Sequence, residues 1–403
     1  MAVNSLTFEQ VSTVLTSIVK QATNQAVLTP TDTASFVSVA QIALRADRDA
    51  VMNAISNVLA RTIFSIRPYS AKMTGLEMDG FRWGNMMRKL SIADSDWKDD
   101  PAYAWPATYD SSQTGHETGD GYAIDPWTIK KPNVLQTNFY GASVYFDEMT
   151  IFEDQIESAF QGPEQLGSFL TLLMTELSNK LERSNEGLRR GLVCNAIGAI
   201  KAENKAERNI HLLTEYNALT GNSYTLADIY DPANFPAFMK WMYSRVAELT
   251  DLFTAASTMF QTVITGKPIV RHTPLEFQRV YLYSPLIRQM EARVLADAYH
   301  DGFLRYSDVE SLPFWQSIQT KDTVKVTPVY TGTDGTVVTG NATTVENVVG
   351  LIFDRDAMGM TILDRRVLST PVNTKGLYRN LHVHAKQRIF WDSTEKAALL
   401  TLD

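Results

Sequence analysis

Cysteine is nearly absent from the 403-residue sequence, which contains one, Cys194. A single thiol excludes an intrachain disulfide and a cysteine-rich metal cluster, so nothing calls for an oxidising compartment and a cytosolic setting fits best. Basic residues are also too few for a nucleic-acid binder, since 37 Lys and Arg stand against 45 Asp and Glu, a net charge of −8. Affinity for DNA comes chiefly from clustered Lys and Arg, so any relation to DNA must be indirect.

Long apolar runs and a secretory signal are missing as well. No run approaches the roughly 18 apolar residues of a membrane span. The first residues, MAVNSLTFEQVSTVLTSIVKQ, lack the basic region, apolar stretch and small-residue cleavage site of a signal peptide. We therefore expect a protein that neither spans a membrane nor is exported by that route.

Catalytic motifs are absent too. The sequence has no G-x-S-x-G, G-x-x-x-x-G-K-S/T, H-E-x-x-H, C-x-x-C or G-x-G-x-x-G. The pair His382 and His384 could share a strand face and bind a metal, but without a third ligand a polar strand face is the better interpretation. Asp354 and Asp356 directly follow an apolar run, and we interpret them as charges that end a strand rather than as a catalytic pair. The sequence therefore predicts no catalytic residue, metal or cofactor.

What the sequence does contain begins with two helical patterns in the first 64 residues. Apolar residues recur at helical spacing in TFEQVSTVLTSIVKQA and again in ASFVSVAQIALRADRDAVMNAISNVLARTIF. Two interpretations remain open. The helices pack on their own domain, or they form an arm that packs on a neighbouring subunit.

An acidic and aromatic segment lies between two predicted strands within residues 65–145. From Leu90 to Thr128 there are eight acids against one base, a net charge of −7, and three tryptophans, Trp97, Trp105 and Trp127. A disordered linker is usually poor in aromatics, so these favour an ordered interface loop, to which Asp99 and Asp100 also belong. The Asp cluster lacks the Gly and Glu positions of an EF-hand. We call residues 90–128 the acidic segment.

A very long helix is the strongest local prediction. Leucines repeat at helical spacing from Pro163 to about Arg208, which predicts a rod of about 60 Å. Its second half carries a stripe of small residues, Gly187, Gly191, Cys194, Gly198 and Ala202. Three glycines on one face indicate either another backbone close by or a kink.

Charge on this helix is opposite to that of the acidic segment. Lys180 to Arg208 holds seven bases and four acids, a net of +3. Charge runs are usually solvated faces. The alternative is that the loop of one copy docks on the helix of another, with Arg183, Arg189 and Arg190 as candidate interface residues.

Residues 215–370 alternate helical and strand patterns. DPANFPAFMKWMYSRVAELTDLF predicts a helix starting near Asp231, QRVYLYS a strand, and PLIRQMEARVLADAYH the helix after it. KDTVKVTPVYTG and NVVGLIF predict strands separated by a polar turn segment, TDGTVVTGNATT. LYRNLHVHAKQRIFW alternates apolar and polar residues and predicts one long half-exposed strand.

The order of these parts resembles the major capsid protein of tailed double-stranded DNA bacteriophages, the Hong Kong 97 type fold, most closely that of small short-tailed phages. The likeness is most specific in NVVGLIFDRDAMGM, RRVLST and NTKGLYRNLHVHAKQRIFWDSTEKAALLTL. It implies an α+β fold with an N-terminal arm (1–64), an extended hairpin loop (65–145), a peripheral domain with a spine helix (146–214 and 373–392) and an axial domain (215–372 and 393–403). Asp354 and Asp356 would then mark the end of a buried axial-domain strand, with Arg355 available for a salt bridge.

The same resemblance implies a structural role. The chain would assemble with itself as hexamers and pentamers into an icosahedral shell around the phage genome, without binding DNA specifically. The short arm favours a separate scaffolding protein, and a portal and decoration proteins would be further partners. Synthesis in the bacterial cytoplasm and residence in the virion follow. An encapsulin-type shell and a carboxylate-dependent hydrolase remain as alternatives.

Overall fold

One long helix packs against two separate β-sheets. The computed structural model describes residues 8–23, 29–46, 51, 71–78, 86–93, 133–152, 162–293 and 309–403. Within these residues the helices are α1 Phe8–Thr23, α2 Thr33–Ala46, α3 Pro163–Glu203, α4 Leu212–Thr220, α5 Leu226–Tyr230, α6 Phe235–Thr254 and α7 Ser284–Arg293. The strands are β1 Glu77–Met78, β2 Met86–Ala93, β3 Asn133–Tyr140, β4 Ser143–Phe152, β5 Asn209–His211, β6 Gln278–Tyr283, β7 Val309–Leu312, β8 Val324–Val326, β9 Val329–Thr331, β10 Val337–Thr339, β11 Thr343–Val345, β12 Val348–Asp354, β13 Met358–Ser369, β14 Tyr378–Trp391 and β15 Ala397–Thr401.

The predicted long helix is confirmed as α3. It has 41 residues, begins with Pro163 in its first turn, and ends at Asn204. Proline suits the first turn because its missing N–H would have no partner there. Asn204 adopts the left-handed conformation, with φ of 50°, and its N–H donates to the carbonyl of Ile200, which closes the helix. At 1.5 Å per residue α3 is about 60 Å long.

The stripe of small residues on α3 divides into two parts. A Cβ added to Gly198 would lie 2.3 Å from Cγ1 of Val326 in β8, so a glycine is required where the helix meets that strand. At Gly187 and Gly191 an added Cβ meets no atom within 4 Å. The close approach predicted for the stripe therefore occurs at Gly198 and not at the other two glycines.

Alanine substitutions at these glycines should have opposite effects on the free energy of unfolding. Gly198→Ala is expected to destabilise the unassembled chain by about 1–2 kcal/mol, because β-branched Val326 has little freedom to move away. Gly187→Ala and Gly191→Ala serve as matched controls and should stabilise by up to about 1 kcal/mol through helix propensity. Urea unfolding followed by circular dichroism measures all three. A Gly198→Ala chain as stable as the controls would contradict the packing described here.

The first half of α3 lies on a four-stranded sheet with the strand order β1-β13-β14-β4. The long half-exposed strand predicted near the C-terminus is confirmed as β14. Its buried residues Leu381, Val383 and Ala385 alternate with partly exposed His382, His384 and Lys386. Gln387, also buried, donates to Asn185 of α3. One face of this sheet therefore carries α3, and we call the opposite face the outer face.

The second half of α3 packs on a five-stranded sheet with the order β5-β15-β12-β6-β7. Its central strand β12 is buried along its whole length. Ile197 and Ile200 of α3 share one core cluster with Leu351 and Phe353 of β12. Ile352 points to the other face, into a second core cluster with Phe238 and Met242 of α6. A strand covered on both faces reads as a continuous apolar run, as VVGLIF does.

Three predicted elements differ from the structure. The helix α6 begins at Phe235 rather than near Asp231, because Asp231 starts a turn in which its carbonyl accepts from the N–H groups of Asn234 and Phe235. The predicted single strand before residue 145 is two strands, β3 and β4, separated at Gly141 with φ of +88°. The polar segment TDGTVVTGNATT contains β10 and β11, which pair with β9 and β8.

The N-terminal helices pack on their own chain in the described residues. Val11, Leu15 and Ile18 of α1 are buried, and α1 contacts both α2 and α3. Their spacing of three and four residues puts these side chains on one face, as the sequence predicts.

Candidate subunit interface

The hairpin formed by β2 and β3 exposes an apolar patch on one face. The two strands pair in register from Met86 with Tyr140 to Ala93 with Asn133. On one face Leu90 is 62% exposed, Ile92 66% and Val134 40%. On the other face Ala93 and Leu135 are buried against Ile264 and Ile269. Apolar side chains grouped on one strand face of a monomer commonly mark a protein–protein contact.

The base of this hairpin is attached to the body by buried charges. Lys89 of β2 makes ion pairs with Glu395 and with Asp392 at 2.8 Å, both in the turn between β14 and β15. Arg271 binds the same Glu395 at 2.6 Å, and its Nη2 donates to Ser91 of β2 at 3.2 Å. The side chains of Asp392 and Glu395 are 0% and 7% exposed. A low dielectric strengthens such pairs, so this cluster holds the hairpin against the body.

The pKa shifts in the cluster reflect competition between burial and charge. Burial alone would lower the pKa of Lys89, but the carboxylates of Asp392 and Glu395 raise it above its ordinary value. Burial favours neutral Asp392, yet Lys89 and the hydrogen bonds from Thr394 hold its pKa below the usual range. For Glu395 burial prevails and raises the pKa despite Lys89 and Arg271. Lys89 and Asp392 are therefore both held in their charged forms.

The free edge of the four-stranded sheet is a second open surface. Among the described residues β4 ends the sheet, and it exposes Val144 at 62% and Phe146 at 55%. A groove of about 410 Å³ separates β4 from α3. Its apolar lining comes from Tyr145, Leu177, Leu181, Val383 and Ala385, and its polar lining from Asp147, Lys180, Arg183 and Ser184. We call this feature the α3–β4 groove.

The histidine pair of the outer face stacks on an aromatic ring. Phe146 of β4 lies with its ring 5.3 Å from the His382 ring and 5.2 Å from the His384 ring. No group of three His, Cys, Asp or Glu side chains suited to a metal ion occurs in the described part of the chain. The contacts that the structure gives these histidines are those of a strand face.

The three predicted arginines differ in accessibility. Arg183 is exposed on α3, where its Nε donates to the carbonyl of Asn179. Arg189 is fully buried and paired with Glu77 and Glu182 of the same chain. Arg190 is 8% exposed, binds Glu186 and donates to the carbonyl of Phe314 at 2.6 Å. Arg189 and Arg190 therefore present no free charge to an incoming loop, and Arg183 is the accessible member of the set.

The remaining candidates, Trp97, Trp105, Trp127, Asp99 and Asp100, lie outside the described residues. Their role stays a prediction.

Two interface features were missed by sequence reasoning, and only one of them has a recognisable pattern in the sequence. The exposed patch is visible in KLSIA, where Leu90 and Ile92 alternate with Lys89, Ser91 and Ala93, and pairing with β3 adds Val134 to it. The Lys89 cluster has no such signal, because Lys89 is more than 300 residues from its partners.

The contacts of Asp354 show whether it is a catalytic carboxylate or a residue that ends a strand. Asp354 is 7% exposed at the end of β12. Its Oδ2 accepts from the hydroxyl of Thr273 at 2.7 Å and its Oδ1 from the N–H of Asp356 at 2.8 Å. Arg355 stacks over the ring of Phe277, with its Cζ 3.7 Å from the ring centroid. Asp354 therefore closes a turn after a buried strand, as predicted.

A comparison with protein families identifies the family of this chain. The model of the Phi29-like phage major capsid protein matches residues 15–401. The chain belongs to this family. It is a phage major capsid protein, so its place is in the virion, where capsid proteins assemble with copies of themselves into a shell.

Solved structures agree with the Phi29-like family at the level of the fold. The capsid structure of Staphylococcus phage Andhra is similar over 85% of this chain and 86% of that chain, with a TM-score of 0.50 and 12% identity. A chain from the structure of the head fibre and inner core protein of native bacteriophage P68 is similar over 83% and 85%, with a TM-score of 0.50 and 10% identity. No curated protein matches the sequence.

The predicted capsid identity is thus confirmed, and the encapsulin and hydrolase alternatives find no support. The family and the fold are those of structural proteins. Among the described residues no helix is long and apolar enough to cross a membrane.

Proposed function

We propose that this capsid protein builds an icosahedral shell with the Hong Kong 97 type arrangement. In this arrangement residues 1–64 form an arm, 65–145 an extended hairpin loop, 146–214 and 373–392 a peripheral domain around α3, and 215–372 with 393–403 an axial domain. Two separate sheets support a division into two domains, since β4 and β14 lie in one sheet and β6, β12 and β15 in the other, while β13 pairs in the first sheet and β5 in the second. The axial domain would gather at five-fold and six-fold positions, in pentamers and hexamers.

One observation carries the proposal: Leu90, Ile92 and Val134 are exposed on the outward face of the β2–β3 hairpin, while its other face is held to the body by buried contacts. The hairpin is held to the body on one face, and the apolar side chains on its other face have no cover among the described residues, so a second molecule can bury them. In a closed shell every copy offers the same face and the same recipient surface, so each weak contact is repeated many times.

The partners follow from the same function. The shell encloses double-stranded DNA without specific binding, which suits a net charge of −8. A separate scaffolding protein, a portal and decoration proteins are the further partners we propose. Synthesis takes place in the host bacterial cytoplasm, and the chain has no enzymatic activity of its own.

The hairpin face can be tested by one substitution and its conservative counterpart. Ile92→Lys should reduce shell yield at least about tenfold, because a charge placed in an apolar contact must be desolvated. Ile92→Leu keeps an apolar side chain of equal size and should assemble like the unmodified chain. Negative-stain microscopy with sedimentation counts shells, and circular dichroism verifies the fold of unassembled chains.

Two results would count against the proposal. If Ile92→Lys chains form normal shells, the hairpin face is not part of the subunit interface. If the unmodified protein remains a compact monomer under all assembly conditions, the shell function itself fails.

A further inference from the structure

A fully buried lysine, Lys396, lies at the end of α6. It is 0% exposed and belongs to the turn between β14 and β15. Its Nζ donates to the carbonyls of Phe253 and Ala255, at 3.1 and 2.6 Å, and to the hydroxyl of Ser257 at 3.2 Å. Since α6 ends at Thr254, Lys396 closes the C-terminal end of this helix. Lysine is rarely buried to this extent unless an acid is paired with it.

The acid that acts on Lys396 is Asp354, at the end of the neighbouring strand β12. The N–H of Asp354 donates to the carbonyl of Lys396 at 2.9 Å, while its carboxylate oxygens accept from Thr273 and from the backbone of Asp356. The other charged groups of this turn and of the elements beside it have partners of their own or face solvent. They are Asp392 and Glu395, which bind Lys89, Arg271, which binds Glu395, Arg355, which stacks on Phe277, and the exposed Asp251 and His272. Among the described residues, no carboxylate therefore lies within hydrogen-bond distance of the Lys396 amine.

The three oxygens around Nζ can satisfy the side chain with or without its third proton. An ammonium group donates three hydrogen bonds, and two carbonyls and a hydroxyl can accept all three. A neutral amine donates two and has one lone pair, so it needs two acceptors and one donor. The carbonyls of Phe253 and Ala255 are the acceptors, and the hydroxyl of Ser257 becomes the donor when its O–H turns toward Nζ. Loss of the proton therefore leaves each of these contacts in place.

Burial favours the neutral form of this amine. It lowers the pKa of Lys396 from the ordinary value of 10.5 to about 8, and the negative charge of Asp354 opposes this shift without cancelling it. In the unfolded chain the side chain is in water and keeps its ordinary pKa. Between the two values the folded chain binds fewer protons than the unfolded chain, so stability rises with pH in that range. Below pH 8 Lys396 is charged in both states and this gain is absent.

We propose that Lys396 is a pH-sensitive cap of α6, which releases its proton while the chain stays folded and thereby strengthens the junction of α6 with the turn between β14 and β15. This turn connects the four-stranded sheet to the five-stranded sheet. It also holds the β2–β3 hairpin through Asp392 and Glu395. The device thus lies where the hairpin and both sheets meet. It does not depend on the proposed shell function, so unassembled chains suffice to test it.

Nuclear magnetic resonance of unassembled chains with ¹³C-labelled lysine follows the proton directly. We expect one lysine Cε resonance to titrate with a midpoint near pH 8 and to be missing from the spectrum of Lys396→Met. Asp354→Asn removes the nearby negative charge and should lower this midpoint further. If Lys396→Met does not fold, the change caused by Asp354→Asn assigns the resonance.

Three results of this titration would overturn the proposal. The first is that no lysine resonance titrates below about pH 9, which would leave Lys396 charged throughout the range in question. The second is that the resonance with the low midpoint persists in Lys396→Met. The third is that Asp354→Asn leaves the midpoint unchanged, which would contradict the placement of Lys396 beside Asp354.

Urea unfolding at a series of pH values measures the effect on stability. From pH 7 to pH 9.5 the unfolding equilibrium constant of the unmodified chain should fall about 25-fold more than that of Lys396→Met, as pKa values of about 8 and 10.5 require. Lys240→Met is the matched control, because Lys240 is exposed on the same helix α6, and it should keep the pH dependence of the unmodified chain. Equal pH dependence of the unmodified and Lys396→Met chains would show that Lys396 does not titrate in this range.

Discussion

Reversing the charge of Arg189 is expected to destabilise the folded chain by about 3–5 kcal/mol, because it buries a third carboxylate beside two that have lost their cation. The Arg189 side chain is 0% exposed and lies between Glu77 and Glu182. Arg189→Glu would place three carboxylates in that space. The pair with Glu77 also joins α3 to β1, which runs parallel to β13, so the loss should loosen this edge of the four-stranded sheet.

Urea unfolding of unassembled chains, followed by circular dichroism, measures this loss. Arg183→Glu is the matched control on the same helix, and because Arg183 is exposed its stability should remain within about 0.5 kcal/mol of the unmodified chain. An Arg189→Glu chain of unchanged stability would show that Arg189 is not buried in this way. The comparison also matters for assembly experiments. If Arg189→Glu chains form no shells, the cause is their loss of folding stability and not the loss of an interface contact.

Removing the indole of Trp315 should also cost about 3–5 kcal/mol. Trp315 is fully buried in the core shared by α3 and the five-stranded sheet. Its Nε1 donates to the carbonyl of Val348 at the start of β12, at 2.9 Å. Trp315→Ala therefore leaves both a cavity and a buried carbonyl without its donor.

Two further variants sharpen this measurement. Trp315→Phe retains most of the apolar volume but not the donor, so it should recover part of the lost stability. Ile318→Ala, three residues away and 68% exposed, should change stability by less than about 0.5 kcal/mol. If Trp315→Ala unfolds at the same urea concentration as Ile318→Ala, the assignment of Trp315 to the core is wrong.

Elements with a long and regular apolar pattern could be predicted from the sequence. The helix α3 and the strands β12 and β14 were predictable because each has a long, regular apolar pattern, which follows the faces that are buried where burial is described. The short strands β10 and β11 were not, because three-residue strands in a polar segment have no measurable period. Their pairing with β9 and β8 depends on contacts outside the local sequence.

The candidate interface was predictable only in part. The acidic segment and the cations of α3 are visible as opposite charges in the sequence, and Arg183 keeps that role as a prediction. The sequence does not show that Arg190 forms an ion pair with Glu186 and stacks on the ring of Phe314. It also does not show that Lys89 forms an ion pair with Asp392. Which residues form such pairs depends on how distant parts of the chain pack together.

The sequence by itself determined the class of the protein. Composition and periodicity gave its long helix and its long strands, and the resemblance of its C-terminal segments to phage major capsid proteins gave its class. Only the tertiary structure decided which charges are free. An ion pair such as Arg189 with Glu77 spans 112 residues, and whether a charge faces solvent or a buried partner is fixed by how distant elements pack together.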